Sequence, residues 1–313
     1  MKRFLLKLSL FLAVQFLLAI AVDYAISDGL LKMKDLRFMS WADCKNGTAS
    51  SDLVIMGNSR ALSHFEPKTI DSICHLKAYN LGCGGYAVNV ELMKYRLYAE
   101  HNPLPAIVVY EVGHGMMQIW KAPHHHHSEQ FLPLVWDKEM RSEMRRVGYS
   151  IPEVYLPLYR YWGYKEAIKE GLTEFLGITH HRNHPTDRGL YYEEGDWDGT
   201  ELRKLKSISG EMNDDAKKLF EDFMDECEQK SIKVILVKSP MYIEATRKTT
   251  LLKEESDFFR NIALKHGFTF LNYADNYPLC SDTCNFVMAV HMNQIGAHQF
   301  SIDFADTLRT ILQ

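Results

Sequence analysis

Five short, almost unbroken apolar blocks divide this chain: "DLVIM" (52–56), "HLKAYNLG" (75–82), "AIVVYEV" (106–112), "IKVILVKSP" (232–240) and "FTFLNY" (268–273). Each is bounded by glycine, proline or polar residues, the pattern of strands buried on both faces. Between them the spacing changes to three and four. Residues 88–101 place Val88, Leu92, Tyr95 and Ala99 along one side of a helix. Residues 213–230 bring Ala216, Leu219, Phe220, Phe223, Met224 and Cys227 together behind Asn213, an N-cap residue. A helix over 251–266 stops at Gly267, and a last one over 293–311 buries Ala297, Phe300, Phe304 and Leu308. Strands alternating with helices predict an α/β fold with about five parallel strands covered on both faces. Ligands of such sheets bind at the carboxyl ends of the strands. The loops after residues 56, 81, 112 and 239, and the segment before the last helix, are therefore the places to look.

Residues 115–210 interrupt the alternation and read as a helical insertion or cap rich in Trp, Tyr, His and basic residues. Its aromatic run, 155–164, suits stacking on sugar rings, packing against the sheet, or contact with a membrane surface. The N-terminus is different again. Lys2, Arg3 and Lys7 stand ahead of an apolar run from Leu8 to Val22, which Phe4–Leu6 extend to spanning length. Two readings follow for residues 1–28. Ala19-Ile20-Ala21 forms a small-residue cleavage site of a signal peptide. The alternative, which we favour, is an uncleaved signal anchor with its basic end in the cytoplasm. Both put the domain, residues 29–313, in the periplasm or another extracytoplasmic space.

Composition narrows this picture only a little. The chain has 313 residues, 46% hydrophobic, and a formal net charge of −4. That supports a sizeable core and gives no reason to expect a nucleic-acid partner. Of the six cysteines, Cys280 and Cys284 are spaced to close a small loop, and Cys227 belongs to a helix core. No zinc-type cysteine pairing is present. His124–His127 and "HHRNH" (180–184) have imidazoles enough to begin a metal site, but lack a carboxylate partner and read as surface loop.

The chemistry starts at Ser59. A serine on a turn from strand to helix exposes its hydroxyl and turns its own N–H toward the same space, where the helix terminus favours negative charge. A plain helix cap is the competing explanation. After the second strand, Gly82, Gly84 and Gly85 let the backbone approach a ligand and present an N–H donor. The same letters fit G-x-G-x-x-A, a dinucleotide fingerprint, with Glu111 ending the next strand as a ribose-binding acid would. His291, just ahead of the last helix, supplies the imidazole that a serine needs as general base.

These residues resemble the SGNH (GDSL-type) hydrolases. The likeness is to the membrane-anchored, extracytoplasmic branch that includes D-alanyl-lipoteichoic-acid transfer and alginate O-acetylation proteins. "VIMGNSRALSHFEP" is similar to the first block, "NLGCGG" to the second, and "HMNQIGAHQFS" to the closing H-L-N-x-x-G-A-x-x-F-[ST] pattern. "ILVKSPMY" resembles an internal strand of the same branch. The resemblance implies a three-layer α/β/α, flavodoxin-like fold with Ser59 as nucleophile and His291 as base. The N–H groups of Ser59 and Gly85 would form the oxyanion hole. Asn58, Arg60, His114 and Asn293 are accessory candidates. It also implies an esterase or acyltransferase acting on an acylated cell-surface glycan or small ester, with no cofactor, and with envelope-complex partners.

Two departures stand out. The family ends on D-x-x-H, but Met288 stands three residues before His291. The third block, usually G-x-N-D, falls on "GHGM", which leaves Gly115 at the oxyanion asparagine. Asn58 also replaces the usual aspartate before the serine. Loss of an orienting acid costs about 10⁴ in turnover. A backbone carbonyl, with His114 for a lost polar contact, would leave a Ser-His dyad. A catalytically degraded relative that binds glycan or scaffolds an envelope complex fits the same departures.

Overall fold

The five apolar blocks form the strands of one sheet. A computed structural model describes residues 1–121, 128–178, 188–193, 195–200, 202, 207–208, 212–274 and 277–313. Both histidine clusters, His124–His127 and residues 180–184, fall outside the described residues. In chain order the elements begin with α1 (Lys2–Lys32), α2 (Leu36–Asn46), β1 (Leu53–Met56), α3 (Ser59–His64), α4 (Pro67–Cys74), β2 (Ala78–Asn80), α5 (Val88–His101) and β3 (Ile107–Glu111). Then come α6 (Lys138–Arg146), α7 (Ile151–Tyr155), α8 (Lys165–Phe175), α9 (Asp214–Gln229), β4 (Lys233–Lys238), α10 (Ile243–Lys248) and α11 (Leu252–His266). β5 (Thr269–Asn272), a short hairpin of β6 (Phe286–Met288) and β7 (His291–Met292), and α12 (Gln294–Leu312) complete the chain.

The chain divides into two compact units: residues 1–43 with 121–184, and residues 44–120 with 185–313. The second holds the sheet, all parallel, in the order β2-β1-β3-β4-β5. Leu53 pairs with Ala78 on one side and Ile107 on the other; Ile107 pairs with Lys233, and Ile235 with Thr269. The chain leaves β1 for β2 on one side, then returns past β1 to β3. This reversal opens a crevice at the carboxyl ends of β1 and β3.

Alternation of side chains gives the sheet two apolar faces. Leu53, Ile55, Ile107, Val109, Ile235 and Val237 share a core with Phe65 and Ile70 and with Ala297, Phe300, Phe304 and Leu308 of α12. On the other face Tyr110 meets Phe220 and Phe223 of α9 at 5.3 and 6.0 Å, and Phe220 meets Phe259 of α11 at 5.5 Å. The predicted caps are present. Asn213 accepts from the Ala216 N–H at 3.1 Å, and Gly267 ends α11 at φ 66°. Helix α5 is buried over Val88–Tyr95, more than its expected single stripe. Two of its buried polar side chains find partners inside: Tyr110 donates to one oxygen of Glu91 at 2.8 Å, and Lys94 donates to the Gly82 carbonyl at 3.2 Å. Cys280 and Cys284 are separate thiols, one buried and one exposed, and Cys227 is buried as expected.

In the first unit α1 packs along α8 with the backbones nearly touching. A Cβ on Gly29 would lie 1.9 Å from the Gly171 carbonyl oxygen, and one on Gly171 would lie 2.5 Å from that of Ile26. Ile26, Ser27 and Leu30 are buried, and so is Asp23, whose carboxylate pairs with Arg160. The amino-terminal two-thirds of α1 is exposed, apolar and long enough to cross a membrane.

Candidate active site

The turn after β1 decides what Ser59 can do. Gly57 sits at φ 134°, where a Cβ would come within 2.8 Å of the Glu111 carbonyl oxygen, so glycine alone lets the turn close on β3. Asn58 then caps α3, its side chain accepting from the Arg60 N–H at 3.1 Å. With the cap supplied by Asn58, the Ser59 hydroxyl is free for another partner. That partner is His291, whose Nε2 lies 2.7 Å from Ser59 Oγ across 232 positions of sequence.

His291 is held by the β6–β7 hairpin and the start of α12. Met288 pairs with His291 across the hairpin, and Phe286 with Met292. Asn293 caps α12 through the Gly296 N–H at 3.0 Å and donates to the Cys284 carbonyl at 2.7 Å, which fixes the chain just past the imidazole. Asn293 is thus a positioning group. Met288 is exposed, and among the described residues His291 Nδ1 has no hydrogen-bond partner. Burial, with Arg60 second, lowers the imidazole pKa to about 4. The ring is therefore neutral near pH 7, the form that accepts a proton.

Beneath this pair runs a buried chain of hydrogen bonds. The Met292 N–H donates to His64 Nε2 at 3.0 Å, so the neutral ring carries its proton on Nδ1. Nδ1 lies 3.1 Å from Ser239 Oγ, and the Ser239 hydroxyl donates to Glu111 Oε1 at 2.9 Å. Complete burial, then His291 and Arg60, push the His64 pKa well below its ordinary value, so it stays in the accepting form. Glu111 also accepts from the Gly113 N–H at 3.1 Å and pairs with Arg60 Nε at 3.4 Å. The carboxyl ends of β3 and β4 are in this way tied to the residue next to His291.

The other candidates take different places. Arg60 is buried beside Glu111, with its guanidinium in the space next to Gly113. His114 bonds Glu255 Oε2 through Nδ1 at 3.1 Å, so this ring nitrogen pairs with Glu255 and not with His291. Gly115 is at φ 82° with open space around its Cβ position. Gly85 is exposed at φ 79° in the loop after β2. The Cys83 N–H donates to the Gly57 carbonyl at 2.9 Å and so docks this loop on the turn that carries Ser59. The dinucleotide reading loses its acid here, because Glu111 is fully buried and spends its oxygens on Gly113, Ser239 and Arg60.

His64 and Ser239 were not legible as site residues. His64 lies unremarked in the stretch after Ser59 and Ser239 near the end of a strand block; only the three-dimensional chain from Glu111 to Met292 gives them a role. Asp225, Glu228 and His266 lie close enough to share a cation. They belong to the ends of α9 and α11 that precede β4 and β5, hence to the edge of the sheet opposite Ser59. Their charges are met internally, by the His266–Glu228 contact of 2.6 Å and by Lys265, 3.9 Å from Asp225.

Gly113 gives a direct test of this packing. A Cβ there would fall 1.3 Å from Arg60 Nη2, so Gly113→Ala must drive the guanidinium off Glu111. The expected cost is about 3 kcal/mol, that of breaking a buried ion pair, read as a lower midpoint in urea. Adding Arg60→Met should recover part of it, because no buried cation then has to move.

No family model matches the sequence, and no curated protein matches it.

Proposed function

We propose that the protein is a serine acyl-ester hydrolase or acyltransferase of the SGNH type, acting on an extracytoplasmic, glycan-linked ester. The observation that carries this reading is the 2.7 Å bond between Ser59 Oγ and His291 Nε2 at the carboxyl edge of the sheet. Nucleophile and base in hydrogen-bond contact are the arrangement that acyl transfer requires. In support, the strand order 2-1-3-4-5 is that of flavodoxin-like sheets, and the pair lies at their switch point. The glycan and the acyl group rest on the sequence resemblance. So do export and the choice of a retained anchor over a cleaved signal.

In this mechanism His291 takes the Ser59 proton as Oγ attacks the ester carbonyl. The N–H groups of Ser59 and Gly85 receive the oxyanion, and the imidazolium returns the proton to the leaving alcohol. Water or an acceptor hydroxyl then repeats the cycle on the acyl-enzyme. The buried chain through His64 does part of the work of the missing aspartate by fixing the backbone at Met292.

The test is inactivation by a fluorophosphonate, with the adduct located by peptide mass. Attack by Ser59 Oγ on phosphorus expels fluoride, and the adduct should sit on Ser59. The unpartnered Nδ1 of His291 favours a second reading, a degraded relative that binds glycan without turnover. Glycan binding without any adduct, by a protein that takes up a smaller phosphonate no better, would establish that second reading.

The pH profile offers an independent check. A base with a pKa of about 4 stays unprotonated well below neutrality. Between pH 7 and pH 5.5 kcat/KM should therefore be nearly constant, whereas an ordinary histidine, near 6.5, would lose about nine-tenths. Loss of activity centred near pH 6.5 would contradict the buried environment assigned to His291.

A further inference from the structure

The exposed face of α1 ends abruptly. Phe4, Leu6, Leu10, Phe11, Leu17 and Leu18 are each more than half exposed, whereas Asp23 is fully buried. Over Lys2–Val22 the helix rises about 30 Å, the thickness of a bilayer's hydrocarbon core. Asp23 therefore marks the level at which a spanning α1 would leave the membrane.

At that level the insertion closes around the helix. The Asp23 carboxylate pairs with the Arg160 guanidinium and accepts the Leu158 N–H at 2.6 Å. One turn on, Ser27 Oγ lies 2.9 Å from the Tyr161 hydroxyl and accepts from Trp136 Nε1 at 3.3 Å. Tyr24 packs edge-on against Trp136, ring centroids 5.7 Å apart. The segment thus clamped turns its large side chains outward: Tyr155 is 61% exposed, Tyr159 48% and Trp162 87%. Tyr24 and Trp136 are also substantially exposed. Bare rings of this size are costly in water, and Tyr and Trp collect where one end of the ring meets lipid and the other meets water.

We infer that Tyr24, Trp136, Tyr155, Tyr159 and Trp162 form an aromatic collar that sits in the headgroup layer of the bilayer crossed by α1. The inference rests on reading α1 as a retained span. The collar is continuous with the lipid-facing surface of that helix, and the buried Asp23–Arg160 pair holds it there. It makes α1 more than a tether, since the first unit would be seated on the membrane at a fixed depth.

The test uses the full chain in phosphatidylcholine–phosphatidylglycerol vesicles, with Cys74 and Cys284 changed to serine and a bimane label on Trp162→Cys. Thr310→Cys, on the last helix, serves as the water-exposed reference. Flotation with the vesicles reports on α1; quenching reports on the collar. The expected result is quenching of position 162 by nitroxides at the headgroup and upper acyl chain. Its quenching by aqueous iodide should be about threefold weaker than at position 310. Flotation with position 162 as open to iodide as position 310 would overturn the collar while leaving the anchor intact. Shielding from iodide without quenching by lipid nitroxides would also overturn it, since a protein surface and not lipid would then be the cover. Failure to float would remove the spanning reading itself, and the collar with it.

Discussion

Replacing Ser59 with alanine should lower ester turnover by about 10⁴-fold or more, the loss seen when a serine nucleophile is removed from a working site. The folded state should barely change. Asn58, not Ser59, caps α3, and among the described residues the side-chain bond given up is the one to His291. Unfolding midpoints of parent and variant should accordingly agree within about 1 kcal/mol. His291→Ala should reduce turnover by a similar factor, and the double variant should be little worse than either single one, because the two groups act as a unit. Additive losses would mean that the 2.7 Å contact is structural and that hydrolysis proceeds elsewhere.

His64→Ala should be the most damaging change outside the reacting pair. It removes a fully buried ring and leaves the Met292 N–H and the Ser239 hydroxyl each short of a partner. The cavity, the orphaned Met292 N–H and the unmet acceptor on Ser239 Oγ together should cost roughly 3 to 5 kcal/mol. Turnover should fall as well, by about 10²-fold, because the backbone beside His291 loses its brace. His64→Gln separates the two effects. Its amide oxygen can reach the position of Nε2 and accept from Met292, so activity should recover further than stability. Thermal unfolding and kcat measured on the same samples would decide this; full activity in a folded His64→Ala variant would end the bracing role.

These variants also have a pH signature. His64 and His291 are both kept neutral in the fold, with pKa values below those of the unfolded chain. Each contributes stability that is complete above the unfolded value, near 6.5, and is lost as pH falls toward the folded value, at about 1.4 kcal/mol per pH unit. Glu91 acts in the opposite sense. Burial raises its pKa to about 8, so its contribution weakens as pH rises from its unfolded value near 4.5. Between about pH 4.5 and 6.5 one histidine is therefore offset, and the other leaves the protein less stable on acidification.

The sheet was readable because buried parallel strands are continuous apolar runs, and "DLVIM" and "AIVVYEV" have no competing pattern. Helices α9 and α12 followed from three-four spacing, and α9 also from its capping Asn213. Ser59 and His291 stood out because a strand-to-helix turn and a helix entry are places where polar side chains need a reason. The hairpin at Phe286–Met292 was hidden, since two strands of three and two residues leave no periodicity to detect. The chain from Glu111 through Ser239 and His64 was hidden for another cause. Its members lie on three separate elements, and each has an ordinary local role. Glu111 even suggested a ribose-binding acid until its burial and three partners became visible.

The near-contact of Gly29 with Gly171 sets where the polypeptide can be shortened. A soluble version begun at residue 22 keeps Asp23, Ser27 and Gly29, and with them the interior of the first unit. One begun at residue 33 strips that interior, stranding the Arg160 guanidinium and baring the groove along α8. Trimming for crystallisation should stop at the first of these two points.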